Sequence, residues 1–132
     1  MKSSYLPNLA ICLGLIAWMG AQVQAQTVPY PNKPLKIVVP TSPGSGSDTT
    51  ARFFGEQLST MLGQAVLIEN KPGANGVIAA MAVKQAPADG YSLFLATNTH
   101  MAVNPSVVKD LPYDPVKDFK PVSGLARGMM IF

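Results

Sequence analysis

The chain has 132 residues, 48% of them hydrophobic and 13% charged, so it can bury a modest core and is not a disordered segment. Its net charge of +3 comes from ten Lys and Arg against seven Asp and Glu with no basic run, which excludes nucleic acid as a partner. One cysteine permits no intrachain disulfide, and one histidine with no Cys or carboxylate cluster at ligand spacing gives no metal or cofactor site.

Lys2 precedes an apolar block over 9–21 that contains Trp18, and Val23-Gln24-Ala25 follows as a small-residue cleavage pattern. Residues 1–25 are therefore predicted to be a signal peptide, cut between Ala25 and Gln26. The block is short for a membrane span and lacks a positive stop-transfer flank. Cys12 is no lipid anchor, because Ile11 precedes it and the apolar region follows it. Cleavage leaves nine Lys and Arg against seven Asp and Glu, and no thiol.

After the Pro-rich lead-in Tyr30-Pro31-Asn32-Lys33-Pro34, the run 35–39 reads as a strand, filled by Ile37, Val38 and Val39 and ended by Pro40. Ser47 or Asp48 is expected to cap a helix with Ala51, Phe54, Leu58 and Met61 on its inner stripe and Gly63 as its stop. A second strand is read over 65–69, turn chemistry over 70–76, a short Ala-rich helix over 77–85 and a third strand over 91–96. This βαβαβ order with continuous apolar strands predicts an α/β fold, a parallel sheet covered by helices on both faces. Pro105, Pro112, Pro115 and Pro121 make the next segment mostly irregular, with one or two helical turns, and the apolar stretch 124–132 carries no terminus signal.

Ligands of a parallel sheet collect at the carboxyl ends of its strands. Those ends carry Pro43, Gly44, Ser45, Gly46, Ser47 and Asp48 after the first strand, and Thr97, Asn98, Thr99 and His100 after the third. Small residues there let backbone N–H groups approach a ligand, and a helix start adds a positive dipole end that suits a carboxylate or phosphate. The same glycines also serve a tight turn with a capping serine. Gly44-Ser45-Gly46 completes neither a dinucleotide fingerprint nor a P-loop. His100 offers itself as a base for Ser45 or Ser47, but the Gly-x-Ser-x-Gly elbow is absent, and a loop histidine that donates one hydrogen bond is the plainer reading. Asp48 reads as a dipole partner able to receive a ligand ammonium, and Asp89, Asp110, Asp114 and Asp118 read as caps or turn formers.

The pieces Tyr30-Pro31-Asn32-Lys33-Pro34-Leu35, Pro43-Gly44 to Asp48 with Ala51-Arg52, Glu69-Asn70-Lys71-Pro72-Gly73-Ala74, Asp89-Gly90-Tyr91, Asn104-Pro105 and Leu111-Pro112-Tyr113-Asp114-Pro115 occur in one order through the chain. In this the sequence resembles the periplasmic solute-binding receptors of tripartite tricarboxylate transporters, often called Bug receptors. The resemblance implies a periplasmic-binding-protein-like Venus flytrap, which closes two lobes on a small organic carboxylate and delivers it to the transporter's membrane subunits. It also implies that the loops after the first and third strands hold the carboxylate. Ser45 stands where many members have a second Gly.

Family members usually run to roughly twice this length or more, so 26–132 is expected to be part of the first lobe of a two-lobed receptor with the second lobe absent, in a fragment, truncated product or remnant. A small exported α/β hydrolase or phosphate-handling enzyme, using Ser45 or Ser47 with His100, is the alternative to a binding protein.

Overall fold

A computed structural model describes residues 29–126. The expected signal peptide with its Ala25/Gln26 junction, and all but the first three residues of the apolar stretch 124–132, lie outside the described residues. Strand β1 (Leu35–Val39) is followed by helix α1 (Gly46–Leu62), strand β2 (Val66–Asn70), a tight turn at Ala74–Gly76, helix α2 (Val77–Lys84) and strand β3 (Ser92–Phe94). A π-helical turn (Thr99–Val103) then runs into the short helix α3 (Asn104–Val107). Both β1 and its Pro40 stop match the reading of the sequence. β2 starts one residue later than expected, and β3 keeps only the centre of its predicted run.

The sheet has the order β2-β1-β3 and is wholly parallel, with Ile37 opposite Ile68 on one side and Leu93 on the other. Among the described residues the first strand is thus the central one, and four of its five residues are buried. Because the chain steps from β1 to β2 in one direction and back past β1 to β3 in the other, right-handed crossovers set α1 and α2 on opposite faces. Alternation along β1 serves both layers. Ile37 and Val39 meet Ala51 in a core joined by Leu58, Val66, Ile68, Leu93 and Leu95, while Val38 is buried with the opposite side-chain direction.

Helix α1 differs from its predicted form at both ends of its stripe. Its cap is Ser45, whose hydroxyl accepts the Asp48 N–H at 3.2 Å, and Ser47 lies inside the first turn. The inner face is formed by Ala51, Gly55 and Leu58, whereas Met61 is 80% exposed. Gly55 belongs there because a Cβ on it would come within 3.1 Å of Ile68 Cδ1, so its missing side chain lets the helix lie close on β2. Gly63 ends the helix in the left-handed conformation, as expected.

The lead-in is strapped across the turn that precedes β3. Tyr30 donates to the Gly90 carbonyl at 2.8 Å, and the Tyr91 hydroxyl accepts from the Asn32 N–H and donates to its Oδ1, each at 2.9 Å. Lys33 adds an ion pair to Asp89 at 2.9 Å and sits 4.3 Å from the centre of the Tyr91 ring. Among the described residues no helix is long and apolar enough to cross a membrane.

Candidate functional site

Parallel pairing brings the loops that follow β1, β2 and β3 to one edge of the sheet. In the first loop, Gly44 takes a positive φ of 83°, and its N–H donates to Asp48 Oδ2 at 2.8 Å. Thr41 and Ser45 hydroxyls lie 2.6 Å apart, and the Ser45 N–H reaches the Ser42 carbonyl. Asp48 and Thr49 N–H groups both return to Ser45. Among the described residues the N–H groups of Gly46 and Ser47, at the tip of a seventeen-residue helix, have no hydrogen-bond partner. Gly46 is exposed, and a Cβ there would meet nothing within 4 Å. Pro43 is exposed beside it.

Asp48 points inward and is only 2% exposed. Its Oδ2 also accepts Arg52 Nε at 2.9 Å, and its Oδ1 accepts Asn70 Nδ2 at 2.9 Å. Asn70 in turn donates to the Thr41 carbonyl at 3.0 Å. The Arg52 hydrogen bond, followed by those from Gly44 and Asn70, holds this carboxyl well below the usual carboxylate range. Asp48 therefore braces the loop from beneath, and its carboxylate is not turned outward to a ligand ammonium. The paired Arg52 also offsets a negative charge that would otherwise repel an anion at the helix tip.

In the third loop, His100 is buried at 4% exposure. Its ring accepts where a donor had been expected: the Thr97 N–H points at Nδ1 across 3.0 Å, and Thr97 Oγ1 lies 3.0 Å from the same atom. A ring nitrogen that accepts a backbone N–H carries no proton, which places the proton of the neutral ring on Nε2. Burial pushes the ring's pKa below its ordinary value. The His100 and Met101 N–H groups both return to the Thr97 carbonyl. Among the described residues, the N–H groups of Asn98 and Thr99 have no partner, and Asn98 is exposed. Two loops on one edge of the sheet thus each offer two successive free N–H groups.

The second loop, in which the sequence announces only a turn, joins the other two. Gly76, at φ 82°, packs its Cα against the His100 ring, and a Cβ there would also lie 3.2 Å from Pro40 Cβ. Asn75, itself at φ 52°, donates to Asn104 Oδ1 at 2.6 Å, and Asn104 donates back to the Asn75 carbonyl at 3.0 Å. Asn104 is wholly buried and also donates to Tyr113 Oη, which donates to the His100 carbonyl at 2.7 Å. Arg52, Asn70, Asn75, Gly76, Asn104 and Tyr113 are therefore the residues that shape the site unforeseen. Arg52, Asn70, Asn104 and Tyr113 stood in the quoted motifs, yet nothing local in those motifs announces the partners that the fold brings to them.

The hydrolase alternative needs Ser45 or Ser47 beside His100. Ser45 Oγ is engaged with Thr41 and the Asp48 N–H, and His100 Nδ1 with Thr97. A shallow cleft of about 760 Å³ lies among other residues, including Lys84, Pro112, Tyr113 and Asp118, and its charges neutralise one another through a 2.8 Å Lys84–Asp118 pair. No group of three or more potential metal ligands occurs among the described residues.

Residues 50–132 match the model of the tripartite tricarboxylate transporter family receptor. A UPF0065 protein of Bordetella bronchiseptica is 48% identical over 109 residues, covering 83% of this chain and 32% of that protein. The chain belongs to the tripartite tricarboxylate transporter receptor family. The fold agrees: a solved periplasmic transporter superposes with a TM-score of 0.70 at 48% identity, over 72% of this chain and 32% of that one. MatC of Rhodopseudomonas palustris, solved with bound malate, gives a TM-score of 0.66 at 37% identity over 73% of this chain and 33% of that one. The chain thus spans about a third of the length of the family members it matches. Its described part is a periplasmic-binding-protein-like α/β lobe with an open three-stranded parallel sheet.

Proposed function

We propose that the chain is part of the first lobe of an extracytoplasmic receptor, which takes up a small organic carboxylate and hands it to the membrane subunits of a tripartite tricarboxylate transporter. The observation that carries this reading is the pair of free N–H groups on each of two neighbouring loops, Gly46 with Ser47 and Asn98 with Thr99. A carboxylate has two oxygens, each able to accept two hydrogen bonds, and the helix dipole behind Gly46 favours its charge. Malate, bound in the solved structure of MatC, is a ligand of that kind.

The roles divide accordingly. Gly44, Gly46 and Pro43 keep the entrance free of bulk, Ser47 and Thr99 add hydroxyls, and Asp48 and His100 set the two loops from behind. Closure of a second lobe would exclude water and strengthen those hydrogen bonds, so a single lobe holds its ligand weakly. No bond of the ligand needs to break, and the reading is of a binding protein, not an enzyme. Export follows from the Ala25/Gln26 signal, and N-terminal sequencing of the periplasmic form that begins at Gln26 is the expected result.

The test is calorimetric titration of malate into a receptor carrying both lobes. Gly46→Val sets a branched side chain over the free N–H groups and is expected to weaken binding about tenfold or more, the equivalent of one charge-assisted hydrogen bond. Unchanged affinity would place the site elsewhere.

A further inference from the structure

The ring of His100 is held in a way that depends on its charge. Thr97 Oγ1 can turn from donor to acceptor, but the Thr97 backbone N–H can only donate, and at 3.0 Å it points at the Nδ1 lone pair. The ring has neighbours on two further sides. Its other edge is seated on the Gly76 Cα, and Phe94 packs edge-on with its centroid 5.4 Å away.

We propose that His100 is a positioning residue that latches the loop after β3 while its imidazole is neutral, and that a proton taken up from solvent at Nδ1 releases residues 97–99. With Nδ1 protonated, two N–H groups face each other across a hydrogen-bond distance. The Thr97 N–H must then swing away, and it carries the free N–H groups of Asn98 and Thr99 with it. This deepens the carboxylate-site reading, on which its consequence for affinity rests: the loop loses its grip on an anion as the medium turns acidic.

The groups around the ring offer the proton no counter-charge. On its own segment the ring meets Thr97. From β3 it meets Phe94, and from the second loop Gly76 with Pro40 close by. The Tyr113 phenol bonds the His100 carbonyl oxygen. No Asp, Glu, Lys or Arg among the described residues acts on the ring, and burial alone lowers its affinity for a proton. Protonation is therefore resisted by the closed loop and admitted by the open one.

His100 is the one histidine of the sequence, so its ring signals in a nuclear magnetic resonance spectrum need no assignment by mutation. The experiment follows the His100 ring carbons and nitrogens and the Thr97 amide of the labelled chain between about pH 8 and pH 5, the range in which histidine titrates. The expected result is the Nε2–H tautomer at the upper end, and a Thr97 amide that shifts with the same midpoint as the ring. Its hydrogen exchange, corrected for pH, should quicken about tenfold, the fold-change of one ordinary hydrogen bond. His100→Asn supplies an acceptor near the position of Nδ1 and cannot titrate, so Thr97 should stay protected across the range.

A Thr97 amide that ignores the ring's titration overturns the latch, as does the Nδ1–H tautomer in the neutral ring. These readouts need no variant, so they stand even if His100→Asn does not fold. Malate added to the same sample in large excess, enough to fill a site that one lobe holds weakly, separates the two readings. Co-titration of Thr97 and His100 with no malate-induced shift at Gly46, Ser47, Asn98 or Thr99 overturns the carboxylate site and leaves the latch. Malate shifts at those amides without co-titration overturn the latch alone.

Discussion

Gly76 shows how much of this site depends on a side chain that is absent. Its φ of 82° belongs to the left-handed region, and the space a methyl would fill is taken by the His100 ring. Gly76→Ala is expected to cost about 1–3 kcal/mol in backbone strain alone. Overpacking against the buried ring adds a further amount of about 1–3 kcal/mol. Urea unfolding checks this as a fall in midpoint with an unchanged slope, and Gly124→Ala, whose Cβ meets nothing within 4 Å, serves as the neutral comparison. The sequence around Gly76 announces a turn and nothing more. A positive φ is written locally in Ala74-Asn75-Gly76, but the ring that fills the space comes from 24 residues later in the chain. The same holds for Asp48: an acidic residue in a first helical turn is a common dipole partner, and only the fold brings Asn70 to its other oxygen.

At the level of elements, the helix α1 cap is the point where expectation and structure part in a measurable way. Ser45 has extended backbone angles and an oxygen aimed at the Asp48 N–H, whereas Ser47 is already inside the helix. Ser45→Ala is accordingly expected to lower stability by about 1 kcal/mol, and Ser47→Ala by no more than a few tenths. Equal losses in thermal unfolding of the two variants would return the cap to the later serine. The strand β1 and the stop of α1 were legible because Val, Ile, Pro and Gly act through their own backbone preferences. The inner stripe of α1 was only half legible. Counting apolar residues passes over Gly55, and it is this glycine, not Met61, that meets β2. The π-helical turn and α3 were expected only as a turn or two in an irregular stretch, since Pro105 reads as a breaker although it is tolerated in the first turn of a helix.

For the whole molecule, the titrating groups set a direction of pH dependence. Asp48, Asp89, Asp114, Asp118 and Glu69 are all held below their ordinary values, chiefly by Arg52, Lys33, backbone N–H groups, Lys84 and Lys71 in that order. Each favours the folded state above its ordinary value of 3.8, or 4.5 for Glu69, and that contribution is lost as pH falls through the lower folded value. His100 is also lowered, so the unfolded chain binds its proton first. Its effect is absent above the ordinary value of 6.5 and turns unfavourable to folding as pH drops from there. Thermal midpoints recorded from neutral to acid should therefore stay level, decline gently below about 6.5 and fall steeply below about 4. A midpoint that rises on acidification through the first step would contradict a buried neutral His100. Several of the carboxylate pairs are exposed, and the steep limb should flatten in high salt.

β2 and β3 each have one edge unpaired among the described residues, and Leu67, Val116 and Val122 are more than half exposed. Self-association that grows with concentration in light scattering is the expected behaviour of the chain by itself.

Placing the first strand at the centre of the sheet has a consequence in time. A ribosome releases the N-terminal end first, so the apolar stretch Leu35–Val39 emerges with both of its ladders open. It gains one neighbour when residues 66–70 arrive and the other only with residues 92–94, and the strap from Tyr30 and Asn32 has nothing to hold until Gly90 and Tyr91 are made. Synthesis adds about 5–20 residues per second, so the two ladders of this strand stay open for seconds, and that is when pairing with another chain is easiest. An architecture that gives the finished lobe its most protected strand gives the nascent chain its longest wait.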